Sequence, residues 1–201
     1  MIRAIFLDVD GTLISFSTHE IPASALRALA QAHERGVRLF IATGRAANDL
    51  GPLEGIPYDG VVSLNGARCV ANDGRVVSLH PIPRADFERA LALSEEQDFA
   101  MGLELEEGVF VNRVTPDVER VAHMVAHPVP EQTDLRELFG RVECCQLCFY
   151  FDAETQRRVM TELPTLAASR WGPIFADVNV AGIDKATGME EFMRSYGFSA
   201  A

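Results

Sequence analysis

Long hydrophobic runs, basic residues and cysteines are all scarce in this chain of 201 residues, and each scarcity removes a class of function. No stretch is apolar for long enough to span a bilayer. The N-terminus leads straight into an apolar segment, without the basic flank, apolar helix and small-residue cleavage site of a secretory signal, so a cytoplasmic location is expected. Lys and Arg total 18 against 29 Asp and Glu, a formal net charge of -11. Such a surface repels phosphate backbones, which argues against nucleic acid and anionic membrane as partners. A compact phosphorylated metabolite stays admissible where a cation and a few local Lys or Arg residues offset the field. Four cysteines are too few for a disulfide scaffold in a chain of this length.

Three of those cysteines cluster, in Val142-Glu143-Cys144-Cys145-Gln146-Leu147-Cys148-Phe149-Tyr150-Phe151. The segment reads as one long strand, in which alternation sends Cys145 to the face opposite Cys144 and Cys148. No second cysteine pair or nearby histidine completes a tetrahedral set, so packed, reduced thiols are expected ahead of a metal site.

What the sequence does contain is a soluble globular composition, 48% hydrophobic and 23% charged, enough for one core or two small ones. Its organising stretch is Ile5-Phe6-Leu7-Asp8-Val9-Asp10-Gly11-Thr12-Leu13. The apolar run predicts a buried parallel strand, and two carboxylates two residues apart end it. In extended geometry both can face one cavity beyond the strand's C-terminal end, where open α/β sheets bind ligands. Acids this close repel unless something positive sits between them, and a hard cation such as Mg2+, which brings phosphate oxygens with it, is the simplest solution.

Further along, Pro22 reads as a helix start, Ala23 to Arg35 as a helix ended by Gly36, and Val37 to Ala42 as a second buried strand parallel to the first. His33 falls on or beside the apolar stripe and reads as a boundary histidine. The second strand ends in Thr43-Gly44-Arg45, which suits a phosphate clasp and equally a helix-starting turn. A short helix is predicted over Ala46 to Leu53, then a strand over Gly60 to Leu64 ending in the turn pair Asn65-Gly66, then a hairpin over Ala67 to Leu79. Asn65 could serve only the turn, or reach a substrate.

Pro81 and Pro83 mark a boundary. Beyond it, helices over Ala85 to Glu96, Pro116 to Ala126 and Ala153 to Leu163 separate extended segments over Met101 to Glu106, Val109 to Val114, Val142 to Phe151, Thr165 to Trp171 and Ile174 to Val180. This is the pattern of a small α+β module. His80, His123 and His127 lack metal-ligand spacing. The segment from Ala181 to Met189 leads into a helix over Glu190 to Tyr196 and carries Lys185 near its start. A lysine there opposes the helix dipole, which a nearby anion would explain, although an ordinary exposed lysine fits as well.

Taken together, Asp8-Val9-Asp10-Gly11-Thr12, Thr43-Gly44-Arg45, Asn65-Gly66 and Lys185 closely resemble the motifs of the haloacid dehalogenase superfamily, in particular its Cof-like sugar-phosphatase branch. The resemblance implies an α/β fold: a Rossmann-like core with a parallel sheet over residues 1–82, an inserted α+β cap of type C2 over 83–180, and a return to the core over 181–201. It implies Mg2+-dependent hydrolysis of small phosphate monoesters, sugar phosphates first. Asp8 would be the nucleophile that becomes an aspartyl phosphate, and Asp10 the acid and then the base. Thr43 and Lys185 would hold phosphoryl oxygens, Asp8 and Asp10 would ligate the metal, and Gly44, Arg45, Asn65 and Gly66 would line the substrate. A phosphomutase of the same superfamily would use the same acids.

In that family a further strand and a glycine-aspartate segment with another acidic residue follow the lysine helix and complete the Mg2+ site, whereas this sequence stops at Gly197-Phe198-Ser199-Ala200-Ala201. A first strand apolar on both faces also suits the middle of a sheet. The expectation is therefore a shortened or proteolysed form of a longer chain. A natural truncation, self-associating or reduced to a non-catalytic phosphate-binding remnant, is the second.

Overall fold

The computed structural model describes residues 2–15, 17–18, 20–53 and 55–199. The chain divides into two compact units, Met1–Leu79 with Ile183–Ala201, and His80–Gly182.

The first unit begins with β1 (Ala4–Leu7), α1 (Ala23–Glu34), β2 (Arg38–Ala42), β3 (Gly60–Ser63), β4 (Arg68–Ala71) and β5 (Val76–Leu79). These strands form one sheet in the order β1-β2-β3-β4-β5. β1, β2 and β3 run parallel, while β4 and β5 join antiparallel, so the sheet is mixed and not purely parallel. β2 and β3 are buried on both faces almost throughout. β1 lies at one edge with its four residues half-buried. One face of the sheet packs Leu39, Ile41 and Val61 with Leu29 of α1 and with Val9, Leu13 and Ile14. The other packs Phe40, Ala42 and Val62 with Cys69, Ala71 and Phe192.

No helix forms over residues 46–50, and only a single 3-10 turn, Gly51–Leu53, follows. Pro52 lacks an N–H and disfavours helical backbone at the residue before it, which the helix predicted over Ala46 to Leu53 overlooks. The chain instead turns at Ala46, whose carbonyl accepts the Asp49 N–H at 3.1 Å.

The second unit contains α2 (Arg84–Glu96), β6 (Ala100–Leu105), β7 (Gly108–Val111), α3 (Pro116–Met124), β8 (Glu131–Gln132), α4 (Leu135–Phe139), β9 (Gln146–Tyr150), α5 (Ala153–Thr161), β10 (Leu166–Gly172) and β11 (Phe175–Val180). Its six strands run in the order β10-β11-β9-β6-β7-β8. Side chains alternate across this sheet. Met101, Leu103, Leu147, Phe149, Ala176 and Val178 face a core shared with Phe87 and Leu91 of α2, Leu135 of α4 and Val159 of α5. Ala100, Cys148, Tyr150 and Phe175 face Val118 and Val121 of α3.

The short α4 lies outside the predicted helices. It is held by its cap, since the Asp134 carboxylate accepts the N–H groups of Arg136 and Glu137 at 2.9 and 3.1 Å. The long strand predicted over Val142 to Phe151 shortens to β9. Cys144 precedes it and packs in the α2 and α5 core, whereas Cys148 packs on the α3 side, so the two do not share a face. No helix of the described residues is long and apolar enough to cross a membrane.

From the second unit the chain returns to form α6 (Lys185–Ser195), which starts five residues before the helix predicted from Glu190. Its cap is Asp184, whose carboxylate accepts the Thr187 N–H at 2.8 Å and is thereby held below the usual carboxylate range. Gly188 lies inside this helix, and a Cβ there would sit 2.4 Å from Val62 Cγ1, so only a glycine fits without displacement. α6 therefore lies directly on β3. Gly188→Ala is expected to destabilise the protein by about 1–3 kcal/mol through overpacking, read by urea denaturation.

All four thiols are buried, and burial pushes Cys69 up to about 11 and Cys144 up to about 12. A thiol whose folded pKa exceeds its unfolded value favours folding below that unfolded value and loses this contribution as pH rises. Stability is accordingly expected to fall as pH climbs from 9.0 towards 11, and native protein at pH 8 to react with thiol reagents only after denaturation. Rapid labelling of the folded protein would contradict this packing.

Candidate active site

The site begins where β1 ends. After Leu7 the chain leaves the sheet and folds back through Asp8 to Ile14, with the Val9 carbonyl accepting the N–H groups of Leu13 and Ile14 at 3.0 and 2.9 Å. Gly11 takes a φ of 79°, the left-handed backbone that this reversal requires. Val9, Leu13 and Ile14 are buried and anchor the loop to the core, so Asp8 and Asp10 project from a fixed support. The Thr12 hydroxyl stands 3.5 Å from Asp8 Oδ2.

Each acid has its own cation. The Lys185 ammonium donates to Asp8 Oδ1. The Arg45 guanidinium grips Asp10 with two parallel bonds, Nε to Oδ2 at 3.0 Å and Nη2 to Oδ1 at 2.8 Å. This bidentate contact raises the pKa of Arg45 above its ordinary value despite partial burial. Both acids remain open to further partners, with 37% of the Asp8 side chain and 45% of the Asp10 side chain exposed.

Beside them, at the end of β2, Thr43 is 1% exposed and is tied into the sheet by its N–H to the Val62 carbonyl at 2.8 Å. Its Oγ1 accepts the Arg45 N–H at 3.1 Å, leaving the hydroxyl proton to donate elsewhere. Thr43-Gly44-Arg45 thus makes a turn, with no helix after it. The segment after β3 locks onto this turn, since Leu64 N–H reaches the Arg45 carbonyl at 3.0 Å and Asn65 N–H the Thr43 carbonyl at 3.1 Å.

That lock is strained. Leu64, Asn65 and Gly66 follow one another with φ of 49°, 55° and 98°, an uncommon conformation for two residues bearing side chains. The Asn65 amide sits where a Cβ on Gly44 would meet it at 3.1 Å. A Cβ on Gly66 would lie 1.9 Å from the Asp184 carbonyl oxygen. Gly66 therefore lets the start of α6 approach the sheet, and this approach delivers Lys185 to Asp8.

The structure accordingly brings Asp8 and Lys185 into contact, Asp10 and Arg45 into contact, and Thr43, Gly44, Arg45 and Asn65 into one turn cluster; Gly66 is set against the backbone before Lys185. Two participants escape the motif reading. One is Asp49, which accepts a bond from Arg45, and the other is Asp184, which caps α6. A compositional signal for Lys185 was there to be read: it is the only lysine among the 201 residues, every other basic position being arginine or histidine. A compact ammonium suits a single carboxylate or phosphoryl oxygen where a planar guanidinium does not.

The donors at this edge are all oxygen, namely the Asp8 and Asp10 carboxylates and the nearby backbone carbonyls. They fit a hard cation of the Mg2+ type. A different group, Glu104, Cys148 and Asp177 in the second unit, brings three ligand atoms within 4.8 Å of one another. Its thiol is pushed well above the ordinary value by burial, and a sulfur donor does not suit Mg2+, so the oxygen set beside Asp8 is the better fit to that ion.

Comparison with known proteins agrees with this construction. Residues 5–201 match the model of the haloacid dehalogenase-like hydrolases. The chain is similar in structure to BT1666 from Bacteroides thetaiotaomicron, a phosphatase of that superfamily, with 54% identity and a TM-score of 0.95 over 99% of this chain and 74% of that one. It is also similar to the subclass IIB sugar phosphatase BT4131, with 30% identity and a TM-score of 0.86 over 98% and 77% of the two chains. YkrA of Bacillus subtilis (strain 168) is 25% identical over 202 residues, 98% of this chain and 75% of the relative. An acid-bearing loop after the first strand, met by a lysine from the last helix, is thus found in a chain that belongs to the haloacid dehalogenase-like hydrolase family.

Proposed function

We propose that the protein is a Mg2+-dependent phosphatase of small phosphate monoesters, sugar phosphates foremost, acting in the cytoplasm through an aspartyl phosphate on Asp8. We place it in the Cof-like branch, with the second unit as a cap of type C2. The observation that carries the reading is the contact between Asp8 and Lys185, residues that lie 177 positions apart and include the chain's only lysine. Similarity to a phosphatase at 54% identity and to a sugar phosphatase at 30% supports the reaction and the substrate class.

In this reading an Asp8 carboxylate oxygen attacks phosphorus, a P–O(Asp8) bond forms, and the bond to the ester oxygen breaks. Asp10 gives its proton to the departing oxygen, then removes a proton from the water that attacks the phosphoaspartate. Inorganic phosphate leaves and the Asp8 carboxylate is restored. Asp8, in contact with Lys185, is placed to act as the nucleophile, and Asp10, oriented by the Arg45 guanidinium, is placed to move protons. Thr43 and Lys185 donate to phosphoryl oxygens, where charge stabilisation does most of the work in such transfers. Asp8 through its carboxylate and Asp10 through its backbone carbonyl would hold Mg2+, whose charge when bound offsets that of the transferring group, which leaves the Asp10 carboxyl free to carry the proton; the family pattern adds a further acidic residue from a segment following α6. Gly44, Arg45 and Asn65 would line the phosphate side of the substrate, and Gly66 would support it through the start of α6.

Two outcomes test this. With a panel of sugar phosphates and Mg2+, free inorganic phosphate should accumulate, instead of reappearing at another sugar position, and Asp8→Asn should abolish it. Release unchanged by that substitution would falsify the mechanism. Lys185→Arg should keep the fold, judged by an unchanged circular dichroism spectrum, and lower kcat by about 100-fold, because a guanidinium cannot take the place of the ammonium between carboxylate and phosphoryl oxygen.

A further inference from the structure

We infer that Asp49 is a positioning residue for Asp10, acting through the Arg45 guanidinium. This rests on the reading of Asp10 as the group that moves protons. Arg45 meets two carboxylates with different parts of one rigid plane. Nε and Nη2 point at Asp10, at 3.0 and 2.8 Å. Nη1 points at Asp49, to its carboxylate Oδ2 at 3.3 Å and to its backbone carbonyl at 3.4 Å. Because the fork is planar, holding Nη1 sets the direction of the Nε and Nη2 edge. A long side chain with four rotatable bonds would otherwise spend part of its time turned away from Asp10.

Local backbone structure serves this arrangement. The turn closed from Asp49 to Ala46 replaces the helix that residues 46–53 otherwise suggest, and it brings both the carboxylate and the carbonyl of Asp49 to one Arg45 nitrogen. The Arg45 N–H is fixed at the other end by Thr43 Oγ1. Arg45 is thus held at its backbone and at Nη1, and Asp10 is held by what remains of the fork. With Asp49 about a third exposed, the pair adds little to stability. Its effect belongs to catalysis, where small misplacement of a reacting group is costly.

The test compares Asp49→Ala, Asp49→Asn, Arg45→Ala and the double variant Arg45→Ala/Asp49→Ala, each checked by its thermal midpoint. Asp49→Ala should lower kcat for a small phosphate monoester about tenfold with KM within about twofold, and Asp49→Asn, which keeps an acceptor oxygen, should recover most of the loss. The double variant should be no slower than Arg45→Ala alone. A second readout needs neither metal nor turnover. In 15N-labelled protein the Arg45 Nε–H signal, identified by its absence in Arg45→Lys, should exchange with water several-fold faster in Asp49→Ala. Should Asp49→Ala fail to fold, Asp49→Ser takes its place with the same expectations. Additive losses in the double variant, or an unchanged Arg45 exchange rate, overturn the inference. A wild-type protein without Asp8-dependent turnover would count against the functional reading, and the exchange rate would still decide whether Asp49 holds Arg45.

Discussion

Two carboxylates placed two residues apart at the end of an apolar strand need positive charge beside them. In this protein the charge comes from residues 35 and 177 positions away in the sequence. Much of the first unit can be understood as the means of bringing them there. The parallel run of β1, β2 and β3 puts the ends of β1 and β2 side by side, so that Arg45 meets Asp10. The strained turn at Leu64, Asn65 and Gly66 and the absence of a side chain at Gly188 let α6 lie close on β3, so that Lys185 meets Asp8. The strained turn is held in place by the hydrogen bonds that bind it to Thr43 and Arg45.

Several of these features were legible before any coordinates. The apolar run before Asp8, the glycine after Asp10 and the polar residues that end the second buried strand each follow from simple rules of burial and backbone freedom. Together they locate the acid-bearing edge; Arg45, read there as a phosphate contact, is found on Asp10. The family resemblance added the roles of individual residues, which spacing alone does not supply.

Other features depended on tertiary context. Residues 46–53 carry enough Ala and Leu to suggest a helix, but Gly51 and Pro52 are poor helix formers, and the chain closes a turn from Asp49 to Ala46 instead. α6 starts at Lys185 because Asp184 caps it, and Gly188 lets it lie against Val62, a close approach that sequence alone does not reveal. Cys144 and Cys148 pack into separate clusters because β9 starts only at Gln146, a boundary that a continuous apolar pattern hides. The mixed sheet likewise reflects the hairpin of β4 and β5, expected over Ala67 to Leu79, joining β3 antiparallel.

The central claim is that Asp8 becomes phosphorylated. The most direct measurement is to quench the Mg2+-loaded protein during turnover of a sugar phosphate, reduce it with borohydride, and map the modified residue by peptide mass spectrometry. An acyl phosphate on aspartate is reduced to homoserine, so the account predicts that change at residue 8 and nowhere else, dependent on substrate. Steady turnover with residue 8 unmodified under conditions that trap other acyl phosphates would contradict it, and would point to direct attack of water on the ester.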